Sequence, residues 1–260
     1  MTDTFKGSAV PLTQEGFDAI VRQLELDIAT VWALLTVETR GFGFLQDRRP
    51  KILYERHIFH RRTNGRHSTG NPDISSNESG GYSGGIAEYG RLQKAMKLNR
   101  RAALESVSWG LGQIMGFNAV NLRYAGVDEM ITTFLEGEDA QLEGVLRFIA
   151  GNEALRFALK RKKWREVAFF YNGEAYAKHA YHIKLERYHD LYSVKEPPDI
   201  NVRAAQARLT FLGFDPRGVD GLLGDGTRAA VLAFQKAKGM SPTAELDDQT
   251  MEELKTAAAV

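Results

Sequence analysis

Two stretches far apart in the chain hold residue types that could share one active site. Val37-Glu38-Thr39-Arg40-Gly41-Phe42-Gly43-Phe44 puts a carboxylate where an apolar helix runs into a glycine-rich turn. Ser108-Trp109-Gly110-Leu111-Gly112-Gln113-Ile114-Met115 sets a serine and a glutamine among further glycines. Burial drives a carboxyl toward its protonated form, and a protonated carboxyl near neutral pH is what breaking a glycosidic bond asks of its general acid. Glu38 lies three residues beyond Leu35 and seven beyond Val31, so helical spacing sets it at the end of a buried stripe. A solvated helix-end glutamate paired with Arg40 is the competing reading.

The elements that must position these residues follow from periodicity. Thr13 reads as the N-cap of a helix with Phe17, Ile20, Val21 and Leu24 on one face, and Asp27 as the cap of the next, which carries Val31, Trp32 and Leu35. Residues 51–60 mix strand and helix signals. Residues 64–85 form a polar, glycine- and serine-rich segment, and a loop of that length in a compact domain is usually functional or disordered. Helical patterns then run from Ile86 to Met96 and over 128–149, 153–170 and 174–189. The first 190 or so residues are therefore mainly α, with a short β-like or irregular insertion near 50–85.

Composition narrows the function classes. The 260 residues leave room for a domain of roughly 200 residues and a small second one. With 34 basic against 33 acidic side chains the formal charge is +1, which argues against a nucleic-acid partner. The absence of cysteine removes disulfides, thiolate metal sites and cysteine nucleophiles. No leader pattern opens the sequence and no stretch of about 18 apolar residues occurs, so the expectation is a monomer without an integral membrane segment or signal peptide, made in the cytoplasm.

Tyr192 to Asp199 contains Pro197-Pro198 and reads as a linker that stops a helix at about Val194. The expected division is 1–192, a linker at 193–199, and a small helical domain at 200–260 with Val202, Ala205, Leu209 and Leu212 on its first helix. Glycines allow the tight turns that follow, and Thr227 or Asp225 is expected to cap the second helix. The pattern Gln206-x-x-Leu209-x-x-x-Gly213, Val219-Asp220-Gly221-x-x-Gly224-x-x-Thr227 and Ala230-Val231-x-x-Phe234-Gln235 resembles the peptidoglycan-binding domain type 1. The resemblance implies a three-helix bundle that binds the cell wall, with Asp220, Gly221, Gly224 and Thr227 in its signature.

A wall polymer as substrate makes the bond-cleaving chemistry specific. Glycoside hydrolysis usually sets a second carboxylate beside the acid. Glu55 stands 17 residues beyond Glu38, past the turn at Gly41 and Gly43, close enough for a returning segment to face it. Glu38-Thr39-x-Gly41-x-Gly43-Phe44, Pro50-Lys51-Ile52-Leu53-Tyr54-Glu55-Arg56-His57, Ser108-Trp109-Gly110-x-x-Gln113-Ile114-Met115-Gly116 and Tyr171-Asn172-Gly173-x-x-Tyr176 together resemble the phage N-acetylmuramidase family, over most of residues 12–190.

That resemblance implies a lysozyme-like fold and an endolysin that cuts the β-1,4 bond between N-acetylmuramic acid and N-acetylglucosamine in peptidoglycan without a cofactor. It implies Glu38 as general acid and Glu55 as second carboxylate, with Ser108, Gln113, Tyr171 and Asn172 in the saccharide cleft. It also implies action at the host wall after the membrane is permeabilised. Gln113 satisfying backbone groups near Gly110, and Tyr171 as core, are the structural alternatives.

Other chemistries have less in the sequence. A lytic transglycosylase would cut the same bond with one glutamate. Glu55, His57, His60 and His67 form the one cluster with zinc-ligand chemistry, but HExxH is absent, so no metal is expected. A non-catalytic wall-binding or virion protein is the reading from a different class. The basic run Arg156, Lys160, Arg161, Lys162, Lys163, Arg165 reads either as a solvated helix face or as a contact for an anionic envelope.

Overall fold

The computed structural model describes residues 4–39, 42–174, 177 and 180–259, and among these the side chains of Glu38 and Thr39 lie outside the described atoms. The fold is mainly α. Helix α1 (Gln14–Leu24) starts at Thr13, whose hydroxyl accepts from Gly16 N. It buries Phe17, Ile20 and Leu24. Helix α2 (Ile28–Thr39) begins with Asp27 Oδ1 accepting from Thr30 N at 2.7 Å and is buried on all sides from Ala29 to Leu35. It packs along α9 (Tyr181–Val194), where Thr36 Oγ1 and Tyr192 OH share a 3.1 Å hydrogen bond.

The ambiguous stretch at 51–60 splits into both of its signals. Strand β1 (Ile52–Tyr54) is followed at once by helix α3 (Arg56–Arg62), with Glu55 at the junction. β1 pairs antiparallel with β2 (Val107–Trp109), Leu53 opposite Ser108, and β2 pairs with β3 (Ile114–Met115). Between them lies helix α4 (Glu88–Glu105), bent at Asn99, whose backbone leaves helical geometry while its side chain re-caps the helix at Ala102 N.

Two long helical patterns are interrupted. The 128–149 stretch is α5 (Val127–Glu136) and α6 (Glu138–Ala150), parted at Gly137, where a Cβ would run into the backbone of Val10. The 153–170 stretch is α7 (Glu153–Lys160) and α8 (Trp164–Asn172), parted by a turn in which Lys162 has φ +54°. Of the helix expected over 174–189, the structure describes Tyr181 onward as α9, while residues 175, 176, 178 and 179 lie outside the described residues. One apolar core spans these elements, with Trp109, Tyr54, Tyr89 and Phe134 among its fully buried side chains.

Beyond Pro197-Pro198, helices α10 (Ile200–Phe211), α11 (Asp225–Ala237) and α12 (Asp248–Ala257) enclose a second core of Ala205, Leu209, Ala230, Val231, Phe234 and Leu254. A third cluster joins the two: Ala9, Phe42 and Phe44 pack against Ala207, Val219 and Phe211. Among the described residues no helix is long and apolar enough to cross a membrane.

Candidate active site

The backbone on both sides of Glu55 is clamped. Tyr54 N donates to Glu88 Oε2 at 3.2 Å, Tyr54 O accepts from Arg91 Nη1 at 3.0 Å, and Glu55 N donates to Ser106 O at 2.9 Å. Glu88 is fully buried, bridged to Arg91 at 2.8 Å, and its other oxygen accepts from Ser83 N and Gly84 N. One carboxylate thus ties the strand that carries Glu55 to the root of the glycine-rich loop. The far part of that loop is gripped by Arg56, whose three donors reach the carbonyls of Pro72, Glu78 and Ser79 at 3.0–3.1 Å. Each grip meets a backbone carbonyl or N–H that the loop leaves without secondary-structure partners.

Between these two anchors, Gly80 and Gly81 take positive φ, and Tyr82 turns back onto the site. Its hydroxyl stands 3.1 and 3.0 Å from the two Glu55 oxygens. Burial, and after it the negative charge and hydrogen bond of Glu55, push the Tyr82 phenol up to about 12. His57 Nδ1 stands 3.2 Å from Glu55 Oε2, within ion-pair reach when the ring is protonated but off the line of a hydrogen bond. Sequence periodicity is silent on Tyr82, because a loop has none.

The Ser108 segment is a tight hairpin whose polar groups serve one another. Ser108 Oγ donates to Gln113 Oε1 at 2.9 Å, and Gln113 Nε2 donates to the carbonyls of Gly110 at 2.9 Å and Lys51 at 3.4 Å. Gln113 itself has φ +48°, a costly conformation that these bonds hold in place. Tyr171, half-buried near the end of α8, donates to Gly112 O at 3.1 Å, and Asn172 closes that helix. Ser108, Gln113 and Tyr171 are therefore brought together around Gly110–Gly112. Arg40, Gly41 and Tyr176 lie outside the described residues, as does the Glu38 side chain.

What holds the two glycine-rich turns side by side is the first turn of α6, which sequence reading missed. Gln141 Oε1 accepts from Leu111 N at 2.6 Å, and a Cβ on Gly43 or Gly110 would collide with the Gln141 amide. Glu138, three residues earlier, accepts from Gly43 N at 2.8 Å. Both side chains are fully buried. A signal was present: Glu138 and Gln141 share a helical stripe with Leu142, Val145 and Ile149.

Residues 27–193 match the family model of N-acetylmuramidase. The chain belongs to the N-acetylmuramidase family. Residues 199–254 match that of a peptidoglycan binding domain. Among solved structures the chain is similar to the crystal structure of Burkholderia AP3 phage endolysin, with 40% identity and a TM-score of 0.66 over 72% of this chain and 73% of that one. No curated protein matches it. The muramidase domain is a glycoside hydrolase domain for peptidoglycan.

In the binding domain, the signature residues are tied together by Gln206. Its Oε1 accepts from Asp220 N and Gly221 N, and its Nε2 reaches Asp220 Oδ1, Leu222 O and Thr227 Oγ1, all within 3.0 Å. Gly221 is required: its φ is +79° and a Cβ would strike Asp199 O. Gly224, with open space around it, occupies the N-cap of α11, and no side chain caps that helix, so neither Thr227 nor Asp225 does so. Gln235 repeats the device, joining Thr243, Glu245 and Thr250.

The basic run is partly neutralised, by Lys160 with Glu25, Lys162 with Asp27 at 2.9 Å and Lys163 with Glu166 at 2.9 Å. In the histidine cluster, His60 Nδ1 bonds Ser68 Oγ at 2.7 Å and His67 stacks on Phe59. Among the described residues no group of three or more His, Asp or Glu lies close enough to hold a metal ion.

Proposed function

We propose that the chain is a phage endolysin that hydrolyses the β-1,4 bond between N-acetylmuramic acid and N-acetylglucosamine. Residues 1–192 carry the catalysis and 200–260 bind the wall. Glu38 protonates the glycosidic oxygen, and Glu55 directs the water or stabilises the oxocarbenium-like state. Ser108, Gln113, Tyr171 and Asn172 line the saccharide cleft. The observation that carries this reading is the holding of Glu55. A carboxylate whose flanking peptides are clamped by Glu88, Arg91 and Ser106, and whose oxygens meet Tyr82, is fixed as a reacting group needs to be.

Mass spectrometry of products from purified peptidoglycan tests the bond. Reducing muramic ends are expected; anhydro ends would mean a transglycosylase, and released peptides a different chemistry altogether. Glu38→Gln, folded as the parent, should slow release of fragments by about 10²–10⁴-fold, the span of general acid catalysis. Unchanged turnover would remove Glu38 from the mechanism.

A further inference from the structure

The binding domain is built into the muramidase domain as well as joined to it. Helix α10 buries two faces. Ala205 and Leu209 enter its own core, while Ile200, Arg203, Ala207 and Phe211, at helical spacing, turn toward the muramidase domain. At the centre of that second face Arg203, 1% exposed, meets the fully buried Glu138 with both prongs of its guanidinium, at 2.6 and 2.7 Å. The same two oxygens accept from Leu12 N at 2.9 Å and Gly43 N at 2.8 Å. Gly43 lies four residues past the end of α2 and five past Glu38 in the sequence.

Apolar contacts seal the pair from water. Phe211 sits 5.4 Å from the Phe42 ring and 6.4 Å from that of Phe44, and the Arg48 guanidinium stacks over it at 4.4 Å while donating to Ala258 O at 2.6 Å. A buried carboxylate is costly unless a cation and hydrogen-bond donors meet it, as Arg203, Leu12 N and Gly43 N do here. Without the cation, a carboxylate buried there is uncompensated and must be neutralised or turn toward water, and either change loosens its grip on the N–H groups it accepts from. Gly43, hydrogen-bonded to that carboxylate, then moves too.

We propose that Arg203 is a positioning residue of the muramidase site. Through Glu138 it fixes the turn at Gly43, so the binding domain completes the geometry of catalysis in addition to contacting the wall. The proposal rests on the reading of Glu38 as general acid.

Steady-state kinetics of the full chain on a soluble, peptide-free glycan hexasaccharide tests it, because a substrate that short gains little from anchoring on the wall. Arg203→Met is expected to lower kcat at least tenfold with KM within about twofold. Arg203→Lys, which keeps the charge but not the two-pronged geometry, should recover part of the loss. Both are assayed well below their melting temperatures, where a role in stability alone leaves kcat per folded molecule unchanged. If Arg203→Met does not fold, Arg203→Lys decides. Wild-type kcat in a folded variant overturns the proposal. Glu38→Gln in the same assay separates the two ideas: if it stays active, the reading of Glu38 fails, whereas an inactive Glu38→Gln beside a fully active Arg203 variant defeats only the positioning role.

Discussion

Tyr82 brings a neutral donor to a carboxylate from a loop held at both ends. A hydrogen bond to a charged acceptor contributes about 1.5–3 kcal/mol, and Tyr82 as a whole is half exposed, so the lower end applies. Tyr82→Phe is therefore expected to slow turnover on the order of tenfold, read from fragment release at saturating wall substrate with the fold checked by circular dichroism. Glu38 and Glu55 stand out in the sequence because short motifs carry them. Tyr82 does not, since nothing in a glycine-rich loop says which residue will fold back. Glu138 and Gln141 were legible in principle. They share a helical stripe with Leu142, Val145 and Ile149, but a polar side chain in a stripe carries no signal of its own burial.

Asp27 links three elements at the N-terminal end of α2. It caps α2 at Thr30 N, meets Lys162 of the α7–α8 turn at 2.9 Å, and lies 3.7 Å from His189 Nε2 of α9. Burial raises its carboxyl, but the hydrogen bonds from Lys162 and Thr30 outweigh that and leave it below the usual range. A depressed carboxylate contributes stability above its unfolded pKa of about 3.9, and that contribution is lost as pH falls through the lower, folded value. Asp27→Asn should melt a few degrees below the wild type at pH 7, with the gap closing as pH drops under about 4, as thermal denaturation followed by circular dichroism would record. Most helices were readable from periodicity; α3 was not, because residues 51–60 mix strand and helix signals. The breaks at Gly137 and at residues 161–163 were not, because they are imposed by contacts from elsewhere in the chain: Val10 crowds Gly137, while Asp27 and Glu25 draw the basic turn inward. On α10 the Val202–Ala205–Leu209 stripe was visible, and the second face through Arg203 was hidden by the charge of its central residue.

At the scale of the whole molecule, the Glu138–Arg203 pair and the Phe42–Phe44–Phe211 cluster couple the two cores. Removing one partner of a buried pair costs about 3–5 kcal/mol, a large share of the stability of an ordinary domain. One cooperative unfolding transition is expected for the full chain. Trp32, Trp109 and Trp164 all lie in the muramidase domain, whereas helical circular dichroism reports both. The two signals should therefore coincide in a urea titration, and a fluorescence midpoint well apart from the dichroism midpoint would show that the domains unfold separately.

The α10 interface also bears on how such enzymes could be recombined. Replacing residues 199–259 with a foreign wall-binding module would leave a carboxylate stranded at Glu138 and bare phenylalanine rings at positions 42 and 44. A working graft must bring its own arginine at the matching place, because Glu138 has to stay to hold Gly43 N and Leu12 N.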